Sequence, residues 1–122
     1  MHSNEGARMI AVIFEFTPAP GRTNDYFDLV ELLKPELAKA EGFISIERFE
    51  SISAPGKYVS LQFWENEAAV TRWRNVELHR MAQKEGRAGI IGSYRLRVAE
   101  VTRDYTMQTR DQAPSDSRLQ HG

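Results

Sequence analysis

The residues best able to do chemistry gather in WENEAAVTRWRNVELHR, Trp64 to Arg80, which holds both tryptophans and one of the three histidines. Trp64 and Trp73 stand nine positions apart, and His79 follows six residues after the second. Two indoles can wall a planar apolar substrate, and an imidazole can move a proton near neutral pH. The same residues can equally form the core side of a helical hairpin. Their meaning depends on the elements that carry them.

The remaining inventory narrows the chemistry. The chain has no cysteine, so disulfides, thiolate nucleophiles and thiolate metal sites are excluded. His2 and His121 lie near the two ends, too scattered from His79 to suggest a metal site. No paired-carboxylate motif, Gly-rich phosphate loop or nucleic-acid platform stands out. Arg72, Arg74 and Arg80 are too few for a basic stripe.

At 122 residues the chain reads as one domain with a modest core that benefits from a partner. Hydrophobic residues at 41% and charged residues at 27% are ordinary for a globular protein. A net charge of −1 gives no general attraction to nucleic acid or to anionic membranes. No run approaches the ~18 apolar residues of a membrane span. MHSNEGARM lacks the apolar core of a signal peptide, so a cytoplasmic setting is the expectation.

Strand and helix patterns alternate. Met9 to Thr17 reads as a strand with Ile10, Val12, Phe14 and Phe16 on one face and Met9, Ala11 and Ile13 on the other. A helix is predicted from Thr23 or Asn24 to about Ala40, with Phe27, Val30, Leu33 and Leu37 at helical spacing. Pro35 is expected to kink or tighten it, and Gly42 to end the unit. FISIERFES and KYVSLQFW then read as a β-hairpin. Asn66 is expected to cap a short helix bearing Ala69, Val70 and Trp73. Asn75 is expected to cap a second, with Leu78, Met81 and Ala82 inward. SYRLRVAEVTRDY is expected to form the last strand, with Tyr94, Leu96 and Val98 opposing Arg95, Arg97, Ala99 and Val101. Residues 1–8 are expected to be flexible, 9–105 to fold, and 106–122 to be a polar, mobile tail.

The order β-α-β-β-α-β predicts an α+β, ferredoxin-like sandwich with helices on one face of the sheet. Apolar residues on both faces predict a homodimer that packs sheet against sheet.

EGFISIERFES, GKYVSLQFWENEAAVTRWR, ELHRMAQKEGR and YRLRVAEVTRDY together resemble the antibiotic biosynthesis monooxygenase domain family over about residues 9–105. The resemblance implies a dimeric α+β barrel of ferredoxin-like subunits. It also implies three sets of site positions. In the cofactor-independent monooxygenases of polyketide biosynthesis, a strand-ending Trp has an Asn four residues before it and a Tyr six after. Here those places hold Trp64, Ser60 and Val70. In haem-degrading members a first-strand Asn, a helical Trp and an axial His ten residues later correspond to Phe14, Trp73 and Gln83. In quinol monooxygenases the strand-ending Trp precedes a helical His at nearly the spacing of His79, offset by one position.

The first and third branches imply oxygenation of a small aromatic phenol or quinol by molecular oxygen, with no metal, flavin or haem. Such a reaction needs an aromatic cavity, a base and a donor for the developing anion. The expected walls are Phe14, Trp64, Trp73 and Tyr94. The expected base is His79, and Arg95 or Arg97 is expected to hold the anion. Cross-strand ion pairs would account for these arginines equally well. Glu77, Arg80, Lys84 and Arg87 read as a solvated helix face. Haem binding or breakdown is the alternative activity, and a non-catalytic dimer binding a small ligand is the third reading.

Overall fold

Among the described residues, alternating and helical periodicities become seven elements in chain order: β1 (Ile10–Pro18), α1 (Thr23–Ala38), β2 (Phe43–Glu50), β3 (Tyr58–Trp64), α2 (Glu67–Glu85), β4 (Ile91–Glu100) and α3 (Ser115–His121). The computed structural model describes residues 8–85 and 89–121; the side chains of residues 78–85 and 119–121 lie outside that description. The sheet is antiparallel throughout, in the order β2-β3-β1-β4. The α+β, ferredoxin-like class is therefore the observed one.

Register assigns the faces. On β1, Ile10, Val12, Phe14 and Phe16 stand opposite Trp64, Gln62, Ser60 and Tyr58 of β3. They also stand opposite Glu100, Val98, Leu96 and Tyr94 of β4. Because side chains alternate along a strand, these residues share one face. The helices pack there: Ile10, Val12, Phe16 and Trp64 form one buried cluster with Tyr26, Leu29, Val30, Leu33 and Leu37 of α1 and Ala69, Val70 and Trp73 of α2. Phe27, expected inward, is only partly buried, and Tyr26 and Leu29 take the inner positions beside it.

The opposite face carries Ala11, Ile13 and Glu15 of β1, Val59, Leu61 and Phe63 of β3, and Arg95, Arg97 and Ala99 of β4. Among the described residues no helix covers it.

One local expectation holds and others change. Asn66 does cap, its side-chain oxygen accepting from the Ala69 N–H at 2.9 Å. Asn75 does not divide the helix: nothing between Glu67 and Glu85 is glycine or proline, and α2 is continuous. Pro35 sits inside α1 without ending it, and Arg22 precedes that helix with no side-chain cap. The segment after β4, expected to be a mobile tail, contains a turn with Thr106 N–H bonded to the Thr109 carbonyl at 2.8 Å. It also contains α3, just after a buried Ala113. Polar composition did not prevent short-range hydrogen bonding there. No described helix is long and apolar enough to cross a membrane.

Candidate functional site

Trp64 closes β3 and is fully buried. The neighbouring strand supplies Phe43, edge-on at 5.4 Å, and α2 supplies Trp73, stacked at 6.3 Å between ring centroids. The Trp64 indole N–H donates to the Gln62 side-chain oxygen at 2.9 Å. That contact explains a buried glutamine in an apolar layer. The two tryptophans thus lie together between sheet and helices.

Ser60, Trp64, Phe14 and Tyr94 occupy the helix-side face of the sheet, and Val70 and Trp73 face the same layer from α2. Phe14 stacks on Phe16 at 5.0 Å and tilts against Tyr94 at 5.6 Å. Tyr94 is 68% exposed, so it borders this layer rather than sealing it. Six of the expected pocket residues are therefore brought to one layer. The seventh, Gln83, and the expected base His79 have side chains outside the described residues.

Arg95 and Arg97 are not brought there. They pair with Glu15 and Ile13 of β1, which places them on the uncovered face. Arg97 bonds Glu15 at 2.8 Å, and Lys57 approaches the same carboxylate at 3.2 Å. The hydrogen bond from Lys57 holds the Glu15 carboxyl below its ordinary range, and Arg97 adds to the effect. Expecting either arginine to share a pocket with Tyr94 conflicts with strand parity: adjacent strand residues point to opposite faces.

The helix-side face instead holds a polar cluster that no sequence motif marks. Arg48 of β2 stands directly opposite Ser60 of β3, on the helix side. Its guanidinium lies near enough to the Tyr26 hydroxyl of α1 and the Glu77 carboxyl of α2 to act on both electrostatically. Burial raises the Glu77 carboxyl above its ordinary range, with Arg48 opposing. Burial also raises the Tyr26 hydroxyl, and the nearby Arg48 opposes that. Glu77, expected on a solvated face, therefore faces inward. Its register one helical turn beyond Trp73, itself buried, is the signal available for that placement.

Among the described residues, three buried polar atoms of this layer have no hydrogen-bond partner: Arg48 Nε, Ser60 Oγ and Trp73 Nε1. Such atoms cost about 1–3 kcal/mol each when left unmade, and they are places where a ligand's polar atoms would be held. An open cleft of about 380 Å³ runs beside Trp73 between the end of α1 and α2, lined by Glu36, Ala40, Ala69, Arg72 and Val76. A larger one, about 440 Å³, lies where Arg8 and Met9 meet Val101, Thr102, Asp104 and Gln112; it contains none of the clustered residues and is set aside on that ground. Among the described residues no group of His, Asp and Glu is arranged to hold a metal ion.

A four-stranded antiparallel sheet with helices on one face, and an indole pair in the layer between, defines the ferredoxin-like α+β class. Within that class, residues 9–85 match the family described as "Antibiotic biosynthesis monooxygenase", and the chain belongs to it. A protein called jasmonate monooxygenase ABM, from Pyricularia oryzae, is 46% identical over 94 residues, which cover 77% of this chain and 44% of that protein. The chain thus spans less than half of that relative. SnoaB, described as a cofactor-independent oxygenase from Streptomyces nogalater, shares the fold in a point-mutant form with a TM-score of 0.64 at 12% identity, over 80% of this chain and 97% of that one. A point mutant of MhuD, with two manganese protoporphyrin IX bound per active site, aligns with a TM-score of 0.64 at 14% identity, over 80% and 98%.

Proposed function

We propose that this chain is a monooxygenase that takes a small aromatic phenol or quinol into the layer between sheet and helices and oxidises it with molecular oxygen. The observation that carries this reading is the set of unpartnered buried polar atoms in the helix-side layer that also holds the Trp64–Trp73 pair. A phenol offers a flat ring for the indoles and one acidic oxygen for the polar atoms. It also supplies the electrons. A phenol with a free para C–H plus O₂ gives a para-quinone plus water, so the substrate alone reduces the oxygen. Deprotonation makes the ring electron-rich enough to react, and the protein's part is to hold the anion and accept its proton.

A second reading follows from the relative named for jasmonate. That substrate is a carboxylate, and the Arg48 guanidinium, half-buried with its Nε shielded from solvent, would suit it. Hydroxylating a saturated carbon leaves two electrons wanting, so this reading needs an added reductant. Oxygen uptake decides between them. Uptake with a quinol alone, with a product that gains one oxygen and loses two hydrogens, supports the first. Uptake only with an added reductant and a carboxylate substrate supports the second.

Haem is a poorer fit to the described residues. At the first-strand place Phe14 brings only a hydrocarbon ring, stacked on Phe16. Hemin titration is expected to give no saturable shift of the Soret band.

A second copy of the chain is the proposed cover for the uncovered sheet face. Ile13, Val59, Leu61 and Phe63 are only half-buried there, and Phe49 is 44% exposed. Covering them would remove apolar area at about 25 cal/mol per Å².

A further inference from the structure

We infer that the pocket where the start of β1 meets the end of β4 binds a free α-amino acid with an apolar side chain, Arg8 taking its carboxylate and Asp104 its ammonium group. The inference stands apart from the monooxygenase reading. The pocket measures about 440 Å³ and is lined by Arg8, Met9, Val101, Thr102, Asp104 and Gln112. None of these belongs to the buried cluster that holds Trp64 and Trp73. Of the six, Met9 alone falls within the residues that match the family.

Backbone pairing builds the floor. The Val101 N–H donates to the Met9 carbonyl at 2.9 Å, which continues the β1–β4 ladder by one step and sets these two half-buried residues side by side. The chain then leaves the sheet and returns as the opposite wall. The Asp104 N–H donates to the Gln112 side-chain oxygen at 2.7 Å and closes a loop over residues 104–112. Inside the loop the Thr106 hydroxyl accepts from the Thr109 N–H at 2.8 Å, and the Arg110 guanidinium lies 5.2 Å from the centre of the Tyr105 ring. Ala113, just past the loop, is buried. A loop tied at its neck and at its tip holds its wall in place before a ligand arrives. The bond at the neck also orients the Gln112 carboxamide, whose N–H groups remain as donors for a carboxylate.

Charge selects the ligand. Arg8 and Asp104 bring opposite charges to one pocket, and among the described residues no ion pair joins them. A simple anion drawn to Arg8 is repelled by Asp104, and a simple cation meets the reverse. A zwitterion meets neither penalty. The volume also leaves room for a side chain beyond the two charged groups, with Met9 and Val101 as its apolar contact. Both charged residues are exposed, so each contact is weak and the affinity expected is about millimolar.

The test compares L-leucine with 4-methylpentanoate, which keeps only the carboxylate, and with 3-methylbutylamine, which keeps only the ammonium. All three share one apolar end. Titration followed by the amide NMR signals of the native chain gives affinity and place together. Leucine is expected to move the N–H signals of Val101, Thr102, Asp104 and Gln112, and to bind at least about threefold tighter than either analogue. Arg8→Gln is expected to abolish the preference for leucine over the amine, and Asp104→Asn the preference over the acid. Both substitutions are at exposed positions, so the fold is not at stake. Glycine is expected to bind more weakly than leucine, having nothing to lay on the floor. Leucine that moves no signal at millimolar concentration, or moves signals away from this pocket, overturns the inference. So does an analogue that binds as tightly as leucine, or a preference that survives in both variants. Oxygen uptake does not enter these measurements, so a failure of the monooxygenase reading leaves their result standing.

Discussion

Trp64 and Gln62, two residues apart on one strand face, satisfy each other at 2.9 Å inside the layer between sheet and helices. Indole and carboxamide both come from β3, so their meeting needs only the two-residue period of a strand. Replacing Gln62 by Leu keeps the volume but leaves the Trp64 N–H buried with no acceptor. We expect Gln62→Leu to lose about 1–3 kcal/mol of stability in urea unfolding. In a Trp64→Phe background the same change should cost much less, since there is no N–H to orphan. Equal costs in both backgrounds would show that the bond does not act as a pair.

Gly42 lets α2 approach the turn before β2. Its φ is +84°, and a Cβ built there would lie 2.6 Å from the Ala69 Cβ. The left-handed backbone alone costs an L-residue roughly 1–2 kcal/mol, and the overlap adds to it. Gly42→Ala is therefore expected to lower the urea midpoint clearly. Ala69→Gly should recover the overlap but not the backbone cost, so the double variant should be more stable than the sum of the single effects predicts. Strict additivity would remove the overlap from the account.

The element order was legible because period-two runs and helical runs alternate cleanly from Ile10 to Glu100. The indole pair was legible from its spacing. The polar cluster was not. Arg48 looks like one of several strand charges, and Glu77 like one of several charges on a helix; their meeting across α2 and β2 is a tertiary fact with no local pattern. Arg95 and Arg97 show the reverse. Their alternation with Tyr94 and Leu96 was visible, and parity alone excludes them from the layer that Tyr94 borders.

The carboxyl of Glu77 gives stability a pH dependence with a definite sign. Burial holds its pKa above the ordinary 4.5, against the pull of Arg48. A carboxyl raised in the folded chain adds stability that is fully present below 4.5 and is lost as pH rises through the folded value. Glu15 works in the other direction, its contribution present above 4.5 and lost as pH falls through its lowered value. Urea midpoints taken from roughly pH 4 to 8 should show a falling limb above the ordinary carboxylate range. Glu77→Gln should remove that limb and leave the acid side unchanged. A limb that persists in the variant would assign it to another group.

Arg97 and Leu61 separate the two faces of the sheet in one experiment. Both point away from the helices, Arg97 paired with Glu15 and Leu61 beside Ile13. If the reacting layer lies on the helix side, Arg97→Ala should leave the rate of oxygen uptake within about twofold, because an exposed ion pair is worth little. Leu61→Arg instead places a charge in the centre of the apolar face. Light scattering should then report the mass of one chain where the native protein gives that of two, since an unpaired charge is not tolerated in a buried interface. A strong loss of uptake in Arg97→Ala with mass unchanged would move the reacting layer to the other face. A native protein of single-chain mass would leave that face without the proposed partner.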